Sequence, residues 1–299
     1  MADIPLPDVS HASHRRLALA ALLAGAVAIG GSPIFVRLSE VGPMATAFWR
    51  VALAFLPFLF AMRLMPQATA DARPSSVRDY VLLLLPGVFL TVDLAAWHLS
   101  LTMTSVANAT LLSNLAPVFV TLGSWLIFRT RITPVFLTGL AMTLAGVVVL
   151  KGGPPTVGDG DMAGDATAIV AAVFYAGYML AIGYIRSRFS TLRIMVWSTV
   201  SAAICVLPFA LFFESALLPV TLYGWAIVLG LALVCHVGGQ GLVTYALAYL
   251  PTAFSALTLL LQPVVAAILA WVLLAEPVGP MQALGGAIVL AGILVARRG

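Results

Sequence analysis

The chain has 299 residues, of which 62% are hydrophobic and only 9% charged. A soluble domain of this size carries about a quarter charged residues, so composition excludes a water-soluble globular protein and points to an integral membrane protein. The formal net charge of +4 is no argument for a nucleic-acid partner, because the basic residues find a topological explanation. Cys205 and Cys235 both sit inside apolar runs, which excludes a disulfide framework and a metal-ligand spacing.

In chain order, residues 1–16 read as a polar, Pro-containing tail on the cytoplasmic side. His14-Arg15-Arg16 then precedes an apolar run that is too long for a signal peptide and lacks a small-residue cleavage site. The reading is a retained first helix. A hydrocarbon core of ~30 Å needs ~20 apolar residues per crossing. The sequence offers ten such stretches, at 17–38, 43–64, 78–100, 104–128, 133–151, 165–186, 191–213, 222–247, 252–274 and 279–297. Helices are the form that satisfies the backbone of such long runs within the membrane. The predicted fold is therefore an all-α membrane protein of ten transmembrane helices. Residues 152–164, rich in Gly, Pro and Asp, form an outer linker between residues 17–151 and residues 165–299.

Those two halves repeat each other. A shift of 146 residues aligns 107–149 with 253–295 without a gap, setting Pro117 on Pro263, Trp125 on Trp271, Pro134 on Pro280, Gly139 on Gly285 and Gly146 on Gly292. Matched prolines and tryptophans across a loop mark an internal repeat. Arginine fixes the expected orientation: with a cytoplasmic N-terminus, Arg37 and Lys151 lie outside, Arg50 lies in helix 2, and every other basic residue lies inside. Both termini are then cytoplasmic. Five helices per copy is an odd number, so the second copy enters the membrane inverted. Inverted repeats are a common plan of secondary transporters, with substrate bound near the midplane between the halves.

Candidate site residues follow from polarity at depth. Gly30-Gly31-Ser32-Pro33 interrupts helix 1, either as a substrate-facing hinge or as a kinked packing helix. Pro117 and Pro263 kink helices 4 and 9 near their middles, with Asn114 and Gln262 beside them. These amides either line a cavity or tie helices together. Arg50 and Asp93 are the charges deep in apolar spans, at equal expected depth on adjacent helices. Each costs ~2.5–3.5 kcal/mol at a helix centre, so an Arg50–Asp93 ion pair is expected, as a gate or as a buried tie. Trp97-His98, Tyr175 and Tyr178, and the series His236, Gln240, Thr244 with Tyr245 add aromatic and hydrogen-bonding groups. Such a lining suits an uncharged, zwitterionic or delocalised-cation substrate. The tryptophans also fit interfacial belts, and the histidines fit packing roles. Helices 5 and 10 carry Ala141/Ala145 and Ala287/Ala291 at small-xxx-small spacing, which predicts close helix contact within the chain or across a homodimer. There is no nucleotide-binding motif, HExxH, GxSxG or metal cluster, so no cofactor and no enzymatic activity are expected.

The residues GGSPIFVR in helix 1, MATAFWR ending at Arg50, ANATLLSNLAPVFV around Pro117 and LLLQPVVAAILAWVLLAEPVGPMQALGGAIVLAGILV in the second copy resemble the drug/metabolite transporter superfamily. The likeness is to its ten-helix exporters built from two EamA-type repeats, and above all to YddG-type bacterial exporters of aromatic amino acids and methyl viologen. Glu276 matches that family's acidic residue after the helix, whereas Thr130 stands in its place in the first copy. The resemblance implies a multi-pass carrier of the bacterial inner membrane, with a central cavity and alternating access. The expected cargo is a small amphipathic metabolite, an amino acid including aromatic ones. The alternatives are a carrier of nucleotide-sugars or phosphorylated metabolites, which an intramembrane Lys/Arg cluster would favour, and a non-transporting scaffold.

Overall fold

A computed structural model of the chain describes residues 9–65, 73–152, 162–275 and 278–299. All regular elements among these residues are helical. Eight helices are long and apolar enough to cross a bilayer: Ser13–Leu38, Pro43–Leu64, Val77–Met103, Asn108–Phe128, Met162–Ile185, Thr191–Phe213, Leu222–Ala246 and Thr252–Leu273. Two shorter apolar helices, Pro134–Leu150 and Pro280–Ala296, take the fifth and tenth places. At 17 residues each they meet the lower end of what a crossing needs. In chain order these are spans 1 to 10, and they follow the ten expected segments to within a few residues. Residues 1–8 of the tail, most of the linker 152–164, and Glu276 lie outside the described residues.

Helix starts are written locally. Ser76, Thr133, Ser190 and Thr221 each accept a first-turn backbone N–H, from Asp79, Phe136, Arg193 and Gly224, which satisfies donors that a helix cannot pair itself. Three spans are broken where proline removes a donor. Span 1 turns at Gly31, two residues before Pro33, and the Ala28 carbonyl then accepts from Gly31 N at 3.3 Å and from Cys235 Sγ at 3.1 Å. Span 4 breaks at Asn114-Leu115 and span 9 at Leu259-Leu260, each just ahead of the matched prolines Pro117 and Pro263. Both spans also end alike. Arg129 and Ala275, separated by the 146-residue shift, adopt the left-handed conformation with φ of 54° and 55°.

Spans 5 and 10 pack along their whole length, but not through the alanines the spacing singled out. Ala141, Ala145 and Ala287 are exposed, and Ala291 is half-buried. The contact runs instead through Gly139, Gly146, Gly285 and Gly292, where backbone meets backbone: Gly139 lies against Ala296, Thr143 against Gly292, Gly146 against Val289 and Leu150 against Gly285. Rising numbers in one helix meet falling numbers in the other, so the two run antiparallel. Shifting each partner by 146 turns the first contact into the last and the second into the third. Equivalent helices of the two copies thus point in opposite directions across a local two-fold. Elsewhere span 2 packs on span 7, span 3 on span 6, and span 1 on span 8, and the same shift converts the last two pairs into each other.

The ends of the bundle are held by two positionally equivalent latches. Glu40, after span 1, accepts from Val220 N at 3.0 Å, from Thr221 N at 3.1 Å and from the Thr221 hydroxyl at the start of span 8. The Thr221 hydroxyl, followed by the Thr221 and Val220 backbone N–H groups, holds the Glu40 carboxyl below the ordinary value of 4.5. At the other end Arg188, after span 6, donates to both carboxylate oxygens of Asp79, at 2.5 and 3.1 Å, at the start of span 3. Asp79 also closes a capping box with Ser76.

Candidate functional site

The proline breaks in spans 4 and 9 bring polar side chains to the interior between spans 3, 4, 6 and 9. There a cavity of about 180 Å³ is lined by Asp93 and Trp97 of span 3, Ser113, Asn114 and Pro117 of span 4, Tyr175 of span 6 and Gln262 of span 9. Ala256, Leu259 and Leu260 supply apolar wall. Gln262 faces the Tyr175 hydroxyl, and the Tyr175 and Tyr178 rings lie 5.9 Å apart. Five of the polar and aromatic residues selected from sequence therefore meet at one place: Asp93, Trp97, Asn114, Tyr175 and Gln262. Its volume is below the ~300 Å³ at which ligand pockets usually begin, so a bulky ligand would require the surrounding spans to part.

A second polar cluster lies beside it. His236 Nε2 is 3.1 Å from Thr199 Oγ1, and the His236 ring stands edge-on to Phe58 at 6.1 Å. Thr244 donates to Met195 Sδ at 3.2 Å, and Arg50 Nη1 donates to Ser32 Oγ at 3.3 Å. His236, Gln240 and Thr244 are all buried, as their i, i+4, i+8 spacing requires. His236 and Gln240 sit in a π-helix over Leu231–Gln240, with i→i+5 bonding of a kind that recurs at functional sites, and Thr244 in the α-helical turn that follows. Three buried atoms in this region have no protein partner: Arg50 Nε, His236 Nδ1 and Gln240 Oε1. Buried polar atoms are nearly always paired, so such orphans call for water or a ligand.

The expected Arg50–Asp93 ion pair is not made. An ion pair forms elsewhere, between Arg188 and Asp79, while Arg50 is turned to Ser32. The guanidinium nevertheless lies within electrostatic range of Asp93, Tyr175, Tyr178 and His236. Equal depth therefore placed the two charges in one interior without joining them. Other candidates fall elsewhere. Pro33 is exposed and does not border this cavity, and His98 is tied to its own helix through Nδ1 and the Leu94 carbonyl at 2.8 Å. Tyr245 packs on Tyr249 at 5.2 Å, near the end of span 8. Trp125 and Trp271, 53% and 56% exposed, suit an interfacial belt rather than a cavity. Thr199, Ser113 and Phe58 escaped the sequence reading. Asp79 could have been found there, because Ser76-Val-Arg-Asp79 is a capping-box signature.

A larger cavity, about 950 Å³, opens at the arginine-rich end of the bundle. None of the residues selected from sequence lines it.

A two-copy bundle of membrane-crossing helices, with broken spans framing a polar interior, defines a membrane transporter. The chain belongs to the EamA-like transporter family, which it matches over residues 16–151 and again over 162–298. Two proteins of Archaeoglobus fulgidus named uncharacterized transporters are similar to it. One is 30% identical over 269 residues, covering 88% of this chain and 91% of that protein, and the other 28% identical, covering 93% and 96%. A probable terminal-alkyne amino-acid exporter of Streptantibioticus cattleyicolor is 28% identical over 200 residues, 64% of each chain. A crystal structure with 20% sequence identity superposes with a TM-score of 0.76, covering 96% of this chain and 98% of that one, which establishes the shared fold.

Proposed function

We propose that this protein is a secondary carrier that exports small amphipathic metabolites by alternating access. Its cargo is amino acids including aromatic ones, and aromatic cations such as methyl viologen. One observation carries the reading: Asp93 lines the interior cavity, and Arg50, within electrostatic range of it, is turned to Ser32 instead of joining it. A buried carboxyl group and a guanidinium that do not pair are each costly alone, and a zwitterion bridging them offsets that cost. In this reading Asp93 takes the ammonium group of the substrate and Arg50 turns from Ser32 to its carboxylate. Trp97 and Tyr175 offer ring faces to an aromatic or cationic portion, and Asn114 and Gln262 order the polar edge. The exporter name of the Streptantibioticus relative supports an amino acid as cargo. The arginine asymmetry supports cytoplasmic termini and an inner-membrane location in a bacterium.

The test is transport in proteoliposomes loaded with a panel of labelled amino acids and methyl viologen, with and without a pH gradient. Counterflow of at least one aromatic amino acid is expected, and Asp93→Asn should lower it by about tenfold or more while expression and monodispersity are kept. No transport of any panel member, or an unaffected Asp93→Asn carrier, refutes the reading.

A further inference from the structure

The 950 Å³ cavity lies apart from the site described above. It is bounded by the beginning of span 1, the corner between spans 4 and 5, the beginning of span 9 and the end of span 10. Four guanidinium-bearing residues line it, Arg15, Arg16, Arg131 and Arg297, and none of its wall side chains is acidic. A topological excess of arginine accounts for charge at this end of the bundle but not for a concave cavity of this size between the spans. A second observation points to a ligand. Ser124, only 1% exposed, and Thr130 both line the chamber with buried hydroxyls that have no protein partner. Apolar side chains such as Phe128 and Phe254 share the wall with Thr133 and Thr252, so the cavity combines basic, hydroxyl and apolar surface.

The repeat shows how local this chemistry is. The 146-residue shift carries Arg129-Thr130-Arg131 onto Ala275-Glu276-Pro277. The same corner in the second copy thus has an acidic residue and no arginine.

We propose that this chamber binds a phosphate-bearing anion, held by the arginines and by the Ser124 and Thr130 hydroxyls. Arginine forks match phosphate oxygens bidentately, and basic pockets between spans at the cytoplasmic leaflet suit anionic head groups. The apolar wall admits the beginning of an acyl chain, although a soluble phosphate ester presents the same group. This inference does not depend on the transported cargo, because it is read out by binding alone.

The experiment compares the wild-type chain with Arg131→Gln/Arg297→Gln and with Thr130→Glu. The last variant copies into this corner the residue that its counterpart already carries. Binding is followed by native mass spectrometry with phosphatidylglycerol against phosphatidylethanolamine, and by thermal stabilisation with phosphatidylglycerol or with soluble glycerol 3-phosphate. The wild type is expected to retain phosphatidylglycerol over phosphatidylethanolamine, and both variants to bind about tenfold more weakly with unchanged melting temperature in lipid-free detergent. Stabilisation by the lipid alone identifies a membrane head group, and equal stabilisation by glycerol 3-phosphate identifies a free ester; either supports the site. Equal retention of both lipids with no effect of glycerol 3-phosphate overturns it, as does undiminished binding in a variant. Should one variant fail to fold, the other decides.

Discussion

The glycine seam between spans 5 and 10 makes a quantitative prediction. A Cβ added at Gly146 would lie 2.6 Å from Val289 N and 2.9 Å from Gly285 O, where ordinary contacts begin at 3.4 Å. Both obstacles are backbone, so no rotamer change relieves them, and the helices must separate locally by roughly 0.8 Å. A gap of ~0.5–1 Å forfeits a quarter to a half of each pairwise attraction along the seam. Span association in lipid rests on such packing rather than on hydrophobic burial. Gly146→Ala should therefore cost ~1–3 kcal/mol, the usual range for overpacking, read as an earlier midpoint in SDS-induced unfolding in mixed micelles. Gly292→Ala meets Thr143 N at the same 2.6 Å and should cost a similar amount. The double variant should cost less than the sum by at least ~0.5 kcal/mol, because the first substitution has already parted the helices. Ala145→Ser, on the exposed face, should stay within ~0.5 kcal/mol of wild type. A neutral Gly146→Ala, or an Ala145→Ser as damaging as it, would refute the packing argument.

Further expectations concern the latches and corners. Because the Glu40 carboxyl is held below 4.5 by Thr221 and its backbone neighbours, its stabilising effect is fully present above pH 4.5. It is lost as pH falls through the lowered folded-state value. The melting temperature of wild type should thus exceed that of Glu40→Gln at pH 7, with the gap closing on acidification below pH 4.5. At the other end, Asp79 is buried whereas Arg188 is 50% exposed. Asp79→Asn, which weakens the bonds the buried carboxylate accepts from Ser75, Ser76 and Arg188, should destabilise more than Arg188→Gln; the reverse order in thermal unfolding would contradict the geometry. Ala275 sits at a φ of 55°, a conformation costing an L-residue ~1–2 kcal/mol. Ala275→Gly should therefore raise the unfolding midpoint rather than lower it.

Depth along the membrane normal was legible in the sequence, and rotation about each helix axis much less so. Apolar runs and their breakers place all ten spans, and the repeat places the matched breaks before Pro117 and Pro263. Asp93, Trp97, Asn114, Tyr175 and Gln262 converge as polarity at depth implies. Arg50 and Asp93 show what depth alone misses, because equal height says nothing about which way a side chain turns. The seam teaches the same point. Gly139 and Gly146, seven apart, share a helical face, and their conservation across the two copies was visible, while the alanines two positions on from Gly139 and one before Gly146 look elsewhere. The π-helix over Leu231–Gln240 has no signature in hydropathy, and Thr199 became a site residue only when span 7 was laid against His236.

The seam has one more consequence. Its contacts map onto themselves, so each half presents to the other the surface that an isologous dimer presents to its mate. A change in either helix is met by the counterpart of its own neighbourhood, and the two helices are obliged to stay complementary as they diverge. Beyond the seam that obligation lapses. The corner at Thr130, flanked by two arginines, and its counterpart after Ala275 can drift apart in charge without disturbing the joint, which is how one ancestral half gives a molecule with two unlike ends.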